Sequence, residues 1–150
     1  MKLHVKRFEA LTISELYTIL RLRASVFVVE QNCVYQDPDD RDQAAIHVWL
    51  SDGDDILGYL RVMDKDVESD NVSIGRVLSV KRRCGVGSAV LREGIAVAKH
   101  YFNAKQIYLE AQVYAKGIYE KQGFRVVSDV FLIDGIEHVK MLLDCSDIVS

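Results

Sequence analysis

The stretch Val77 to Leu91 reads VLSVKRRCGVGSAVL: an apolar run of strand character, then Arg82-x-x-Gly85-x-Gly87, then the spacing of an amphipathic helix. The first N–H groups of a helix have no intrahelical acceptor, and the aligned peptide dipoles place partial positive charge there. A strand that passes through glycines into a helix is therefore suited to receive a phosphate on main-chain N–H groups. Gly85 and Gly87 let the backbone come close to the anion, and Arg82 and Arg83 add charge beside it.

The surroundings decide among the families that use such a loop. A P-loop requires Gly-Lys-Ser/Thr, but Gly87 is followed by Ser88-Ala89. A dinucleotide fingerprint requires a third glycine and an early position, and this loop has neither. What remains resembles the pyrophosphate loop of the GNAT N-acyltransferases, Gln/Arg-x-x-Gly-x-Gly/Ala, matched by Arg82, Gly85 and Gly87. Downstream, Tyr119-Glu120-x-x-Gly123-Phe124 resembles the second signature of that family. The segments Arg23-x-x-Val26-Phe27-Val28-Val29-Glu30-Gln31-Asn32-Cys33-x-Tyr35, the acidic run Asp37 to Asp42, and Asp134-Gly135-Ile136-x-His138-x-x-Met141 look like the ElaA-like branch of the GNAT proteins. The resemblance spans nearly the whole chain. Many relatives carry a proline shortly after the fourth strand, whereas Ser79-Val80-Lys81 has none, so the exit of that strand is expected to differ.

With 150 residues, 49% of them hydrophobic, the chain is expected to form one domain over residues 1–150 with a proper core. A net charge of -3 argues against a nucleic-acid surface. The three cysteines Cys33, Cys84 and Cys145 cannot all pair and fit no zinc pattern, so no metal is expected and the setting reads as reducing and cytoplasmic. No apolar stretch approaches the roughly 18 to 20 residues that cross a bilayer, so no membrane association is expected.

The pattern predicts a strand over Leu3 to Phe8 and a helix opened by the capping box Thr12-x-x-Glu15, with Leu16, Ile19, Leu20, Arg23 and Phe27 on its buried face. Asp37 to Asp42 is a solvated acidic loop; it lacks the glycine and glutamate of an EF-hand. Strands are predicted over Ile46 to Ser51, Ile56 to Asp64 and Val72 to Ser79, a helix over Ser88 to Phe102, and a strand over Ile107 to Ala111. A helix over Ala115 to Gln122 closes at Gly123, and strands follow over Phe124 to Asp129 and Ile136 to Leu143. This order resembles the GNAT fold, of α/β (α+β) class, with a mixed, mostly antiparallel central sheet and helices on both faces.

The resemblance implies an enzyme that moves an acetyl group from acetyl-CoA to an amine by direct attack. It assigns the coenzyme A pyrophosphate to Arg82, Arg83 and the N–H groups of Cys84, Gly85, Val86, Gly87 and Ser88. The pantetheine arm pairs with Leu78, Ser79 and Val80 where the sheet splays, Leu78 or Ser79 offers an N–H to the thioester carbonyl, and Gln112 bonds the arm. Tyr119 is the expected acid for the leaving thiolate, since a phenol and an alkyl thiol have similar pKa values. Glu30, Glu110, His47 and His138 are the candidate bases, beside deprotonation by water. Glu30, Gln31, His47 and His138 are the expected acceptor residues, although Glu30, seven positions after Arg23, also reads as its ion-pair partner if the helix persists. The acidic loop would favour a small cationic amine. A rival reading is a catalytically weak coenzyme A-binding sensor or interaction module, and a third is a redox role for Cys84. Exposed strand edges in such folds pair copies, so a homodimer is a further expectation.

Overall fold

The computed structural model describes residues 1–80 and 85–145. Strand β1 (Lys2–Arg7) leads to helix α1 (Ile13–Arg23), which a π-helical segment Ala24–Glu30 continues. The strands β2 (Ala45–Asp52), β3 (Asp55–Met63) and β4 (Val72–Ser79) follow as a meander. Helix α2 (Val86–Phe102), β5 (Gln106–Gln112), the short helix α3 (Lys116–Lys121), β6 (Arg125–Val126), β7 (Phe131–Ile133) and β8 (Ile136–Asp144) complete the chain. The sheet runs β1-β2-β3-β4-β5-β8-β6, with β7 paired to β8. β4 and β5 are parallel; the other pairs are antiparallel.

Alternation along the strands divides the interior into two layers. Ile46, Val48, Leu60, Val62 and Ile74 face one side and pack on Val90, Leu91 and Ile95 of α2. Trp49, Tyr59 and Leu78 face the other and pack on Ile19 of α1 and Val26 of the π-helical segment. Helix α2 sits close to β3 because two glycines make room. A Cβ on Gly58 would stand 2.7 Å from Val86 Cγ1, and one on Gly94 would stand 2.7 Å from Leu60 Cδ2. The capping box at Thr12 and Glu15 forms as the pattern predicts: the Glu15 N–H donates to Thr12 Oγ1 at 3.0 Å and the Thr12 N–H to Glu15 Oε1 at 2.9 Å.

Three local expectations are corrected. The strand predicted over Phe124 to Asp129 is reduced to Arg125–Val126. A further strand, β7, instead forms a hairpin with β8 across Asp134-Gly135, both with positive φ, the signature of a tight hairpin turn. The helix that carries Arg23 changes to π-helical winding right after it, so Arg23 and Glu30 do not lie two α-turns apart on one face.

Candidate active site

β4 and β5 pair only at Val72–Ile107 and Ser73–Tyr108, although β4 continues to Ser79 and β5 to Gln112. Two causes separate them. A bulge at Arg76, whose φ is +52°, bends β4, and β5 is held on its other side by β8 along its whole length. The opening continues into a cavity of about 540 Å³.

At the near end of the cavity stand Ser79, Gly87, Ile118 and Tyr119. Gly87 brings the start of α2 against both neighbours: a Cβ there would lie 3.9 Å from Ser79 Cβ and 3.9 Å from Ile118 Cδ1. Gly85 precedes α2 in the left-handed conformation (φ +76°), which turns the chain from the strand into the helix. Val86 is buried at the base of α2. Arg82, Arg83 and Cys84, assigned above to the coenzyme, lie outside the described residues. The Val80 N–H donates to the Leu57 carbonyl at 2.8 Å, and Leu78 is the register partner of Tyr59. Antiparallel alternation therefore turns the Leu78 and Val80 N–H groups toward β3 and the Ser79 N–H toward the gap. Of the two N–H groups expected to face a thioester carbonyl, the geometry favours that of Ser79.

Tyr119 packs edge-to-face on Phe124, with ring centroids 6.1 Å apart, and the turn at Gly123 (φ +102°) closes α3 behind it. Burial pushes its phenol up, with Tyr114 adding to the shift. The hydroxyl therefore stays protonated through the neutral range, but the close match to a thiol expected from an ordinary tyrosine is lost. A phenol in this state is a hydrogen-bond donor.

His138 and Gln112 are direct partners across β8 and β5. His138 Nδ1 lies 2.7 Å from the Ile136 carbonyl oxygen and therefore donates to it, which leaves Nε2 as the ring nitrogen free of that bond. Gln112 and Gln31 exchange amide hydrogen bonds of 3.2 and 3.3 Å, and both also border a second cavity of about 530 Å³. Glu30 lines that second cavity and is absent from the lining of the first.

His47 is corrected. It is fully buried, with Nδ1 2.7 Å from the Tyr59 hydroxyl and Nε2 3.0 Å from the Asp42 carbonyl, and it does not line the cavity. Burial lowers its pKa against the opposing pull of Asp42. Its imidazole is a structural link.

The acidic run is corrected as well. Asp37 and Asp42 are buried, and with Asp39 they bind three arginines instead of facing solvent. Arg23 donates to Asp37 Oδ2 at 2.9 Å and Asp42 Oδ1 at 2.7 Å, and Arg61 grips Asp39 with two bonds of 2.8 and 2.6 Å. Arg76 donates to Asp37 Oδ1 at 2.8 Å. Burial opposes the charge of Asp39, yet the Arg61 hydrogen bonds and charge hold its carboxyl well below the usual carboxylate range. Three of the run's four aspartates are thus neutralised by arginines and only Asp40 is exposed, so the run is not the open acidic surface expected to favour a cationic substrate. The expected Arg23–Glu30 pair is replaced by this cluster.

The far end of the cavity contains Arg41, Glu68, Arg76 and Glu110. The sequence reading missed the first three as site residues. Their relation is set by the segment before β2, the β3–β4 loop and the bulge, and no local pattern marks it.

A model of the GNAT acetyltransferase domain matches residues 21–145. The chain belongs to the GNAT acetyltransferase family. Protein ElaA of Escherichia coli is 36% identical over 135 residues, covering 87% of this chain and 88% of that protein. The crystal structure of Escherichia coli ElaA has a TM-score of 0.89 at 33% identity, covering 95% of this chain and 99% of that one. An acyl-CoA N-acyltransferase from Pseudomonas aeruginosa has the same TM-score at 34% identity, with the same coverage. The GNAT fold and the likeness to ElaA expected from the motifs are thereby established.

Proposed function

We propose that this GNAT protein transfers an acetyl group from acetyl-CoA to a primary amine by direct attack, without an acetyl-enzyme. The observation that carries this reading is the parting of β4 and β5 beyond Ser73, which opens toward Ser79 onto a cavity shared by Gly87, Tyr119 and His138. The start of α2 holds the pyrophosphate with the N–H groups of Gly85, Val86, Gly87 and Ser88, and the pantetheine amides run along the Leu78 to Val80 edge, with Gln112 bordering it. The amine nitrogen attacks the thioester carbonyl, whose oxygen is received by the Ser79 N–H, and the amine proton passes to His138 Nε2. The C–S bond breaks, and Tyr119 protonates the departing sulfur. Glu30 and Gln31 stand at the side cavity, on the acceptor's approach.

The reaction is a cytoplasmic one, a reading supported by the free thiols Cys33 and Cys145. Among the described residues no helix is long and apolar enough to cross a membrane. The rival reading, a coenzyme A sensor without turnover, is disfavoured by Tyr119 and His138 on the same cavity. The test is release of coenzyme A thiol from acetyl-CoA across a library of primary amines, with the N-acetyl product identified by mass. Acetylated product supports transferase activity; coenzyme binding without product from any amine supports the sensor.

A further inference from the structure

We propose that the far end of the cavity receives a zwitterionic amino-acid head, so that the acceptor is a diamino acid of the lysine type acetylated on its side-chain amine. This rests on the acyl-transfer reading of the near end and names its substrate class.

The charges at the far end separate into a closed set and an open one. Arg23, Arg61 and Arg76 balance Asp37, Asp39 and Asp42, so the cluster is formally neutral. Arg41, Glu68 and Glu110 are left over; Glu110 accepts from the Tyr108 hydroxyl at 2.6 Å, whereas Arg41 and Glu68 are held loosely. Arg41 Nη1 lies 3.5 Å from Asp39 and 3.9 Å from Glu68, too far for good hydrogen bonds. Among the described residues Glu68 accepts no hydrogen bond. Burial pushes its carboxyl up, Arg61 opposing and Glu110 reinforcing the shift. Arg76 spends Nε and Nη2 on Asp37, which leaves Nη1 without a bond among the described residues, and its guanidinium is fixed over the Tyr35 ring at 5.6 Å. Its backbone is held at φ +52°, a conformation that a non-glycine residue adopts at a cost and that aims the side chain out of the strand's regular alternation.

Two guanidinium groups with unused donors therefore stand beside a carboxylate with unused acceptors. A carboxylate on the acceptor satisfies Arg41 and Arg76, and an ammonium beside it satisfies Glu68. A simple cation would leave the arginines unmatched, and a simple anion would leave Glu68 unmatched. Arg76 precedes Ser79 by three residues on β4, about 10 Å at strand spacing. An extended lysine is shorter than this, and the Arg76 side chain, reaching from β4 into the same cavity, spans the remainder. The neutral side-chain amine forms the new N–C bond, its proton goes to His138, and coenzyme A leaves as the thiol with the proton of Tyr119.

The test compares L-lysine with cadaverine, which lacks the carboxylate, and with ε-aminocaproate, which lacks the second ammonium. Both kcat/KM for acetyl transfer and binding heat in the absence of turnover are measured, so the result does not depend on the donor. Lysine should exceed each analogue by roughly ten- to a hundredfold in kcat/KM and should bind more tightly than either. Arg41→Gln should shrink the lysine-to-cadaverine ratio, and Glu68→Gln the lysine-to-aminocaproate ratio, with circular dichroism verifying the fold. Equal use of lysine and either analogue, ratios unmoved in both variants, or no binding of lysine overturns the proposal. Failure to bind acetyl-CoA would instead sink the transferase reading, and lysine binding would then still report on the far end alone.

Discussion

Arg23 Nη1 lies 2.7 Å from Asp42 Oδ1 across nineteen residues of chain, and Arg61 Nη1 shares that oxygen at 2.9 Å. Both guanidinium groups are fully buried. This junction joins α1, β3 and the loop before β2.

Removing one member leaves an uncompensated charge in the interior, so Arg23→Met should lower stability by about 3–5 kcal/mol. Arg125→Gln, which cuts an ion pair exposed on both sides, should leave the denaturant midpoint unchanged. Urea unfolding of the two variants provides the comparison. A midpoint for Arg23→Met equal to wild type would remove the cluster from the account of stability.

Stability should fall in two stages on acidification. The pKa of His47 is lowered from its ordinary 6.5 by burial, so below that pH the unfolded chain binds a proton that the folded one refuses, and stability declines as pH falls from there. Asp39 and Asp42 are also lowered: burial opposes this, but the Arg61 bonds to Asp39 and the Arg23 bond to Asp42 prevail. Their contribution is present above the unfolded carboxylate value and is lost as pH drops below about 4. Thermal melts from pH 8 to pH 3 should show both stages, and His47→Gln should shrink the first, the remainder coming from His4, whose pKa burial and Lys2 also lower. A flat profile between pH 7 and 5 in the wild-type protein would contradict the buried neutral imidazole.

Tyr119→Phe should lower kcat by roughly ten- to a thousandfold while the dissociation constant for coenzyme A changes little, because only a bond to the departing sulfur is lost. The raised phenol pKa predicts that wild-type activity shows no loss from tyrosine ionisation up to at least pH 9. Equal turnover of the two proteins, measured where chemistry limits the rate, would leave Tyr119 as a packing partner of Phe124.

What the sequence disclosed follows the range of the interactions. Thr12 and Glu15 mark the start of α1 because a capping box is closed within one turn, and the apolar spacing from Leu91 to Phe102 marks α2 because one face of it is core. Asp134-Gly135 carried a hairpin signal for β7 that the reading passed over. The arginine–aspartate cluster was not legible, since Arg76 meets Asp37 across 39 residues and an aspartate-rich run looks solvated wherever its partners are remote. The π-helical turn after Arg23 and the positive φ of Arg76 leave no local mark, so the ion pair was assigned to Glu30 and the far end of the cavity was missed. Tyr119, His138, Gln112 and Gly87 all line the main cavity, whereas Glu30 borders its neighbour and His47 is enclosed.

His138→Gln keeps a polar group of similar reach but removes the acceptor nitrogen, so kcat should fall by about a hundredfold or more if His138 takes the amine proton. Imidazole added to the variant should restore part of the rate. An unaffected kcat would assign deprotonation to water and leave His138 to its bond with the Ile136 carbonyl.

The most direct measurement is calorimetric titration of acetyl-CoA into the wild-type protein and into Gly87→Asp. A side chain at Gly87 meets only ordinary contacts, so the variant should fold, yet its carboxylate would stand where the coenzyme phosphates must pass. The account predicts one-site binding to the wild type, with about 2.7 kcal/mol of added stability at a hundredfold excess over the dissociation constant, and no binding to the folded variant. No heat and no stabilisation with the wild-type protein, or unchanged binding by Gly87→Asp, would contradict it.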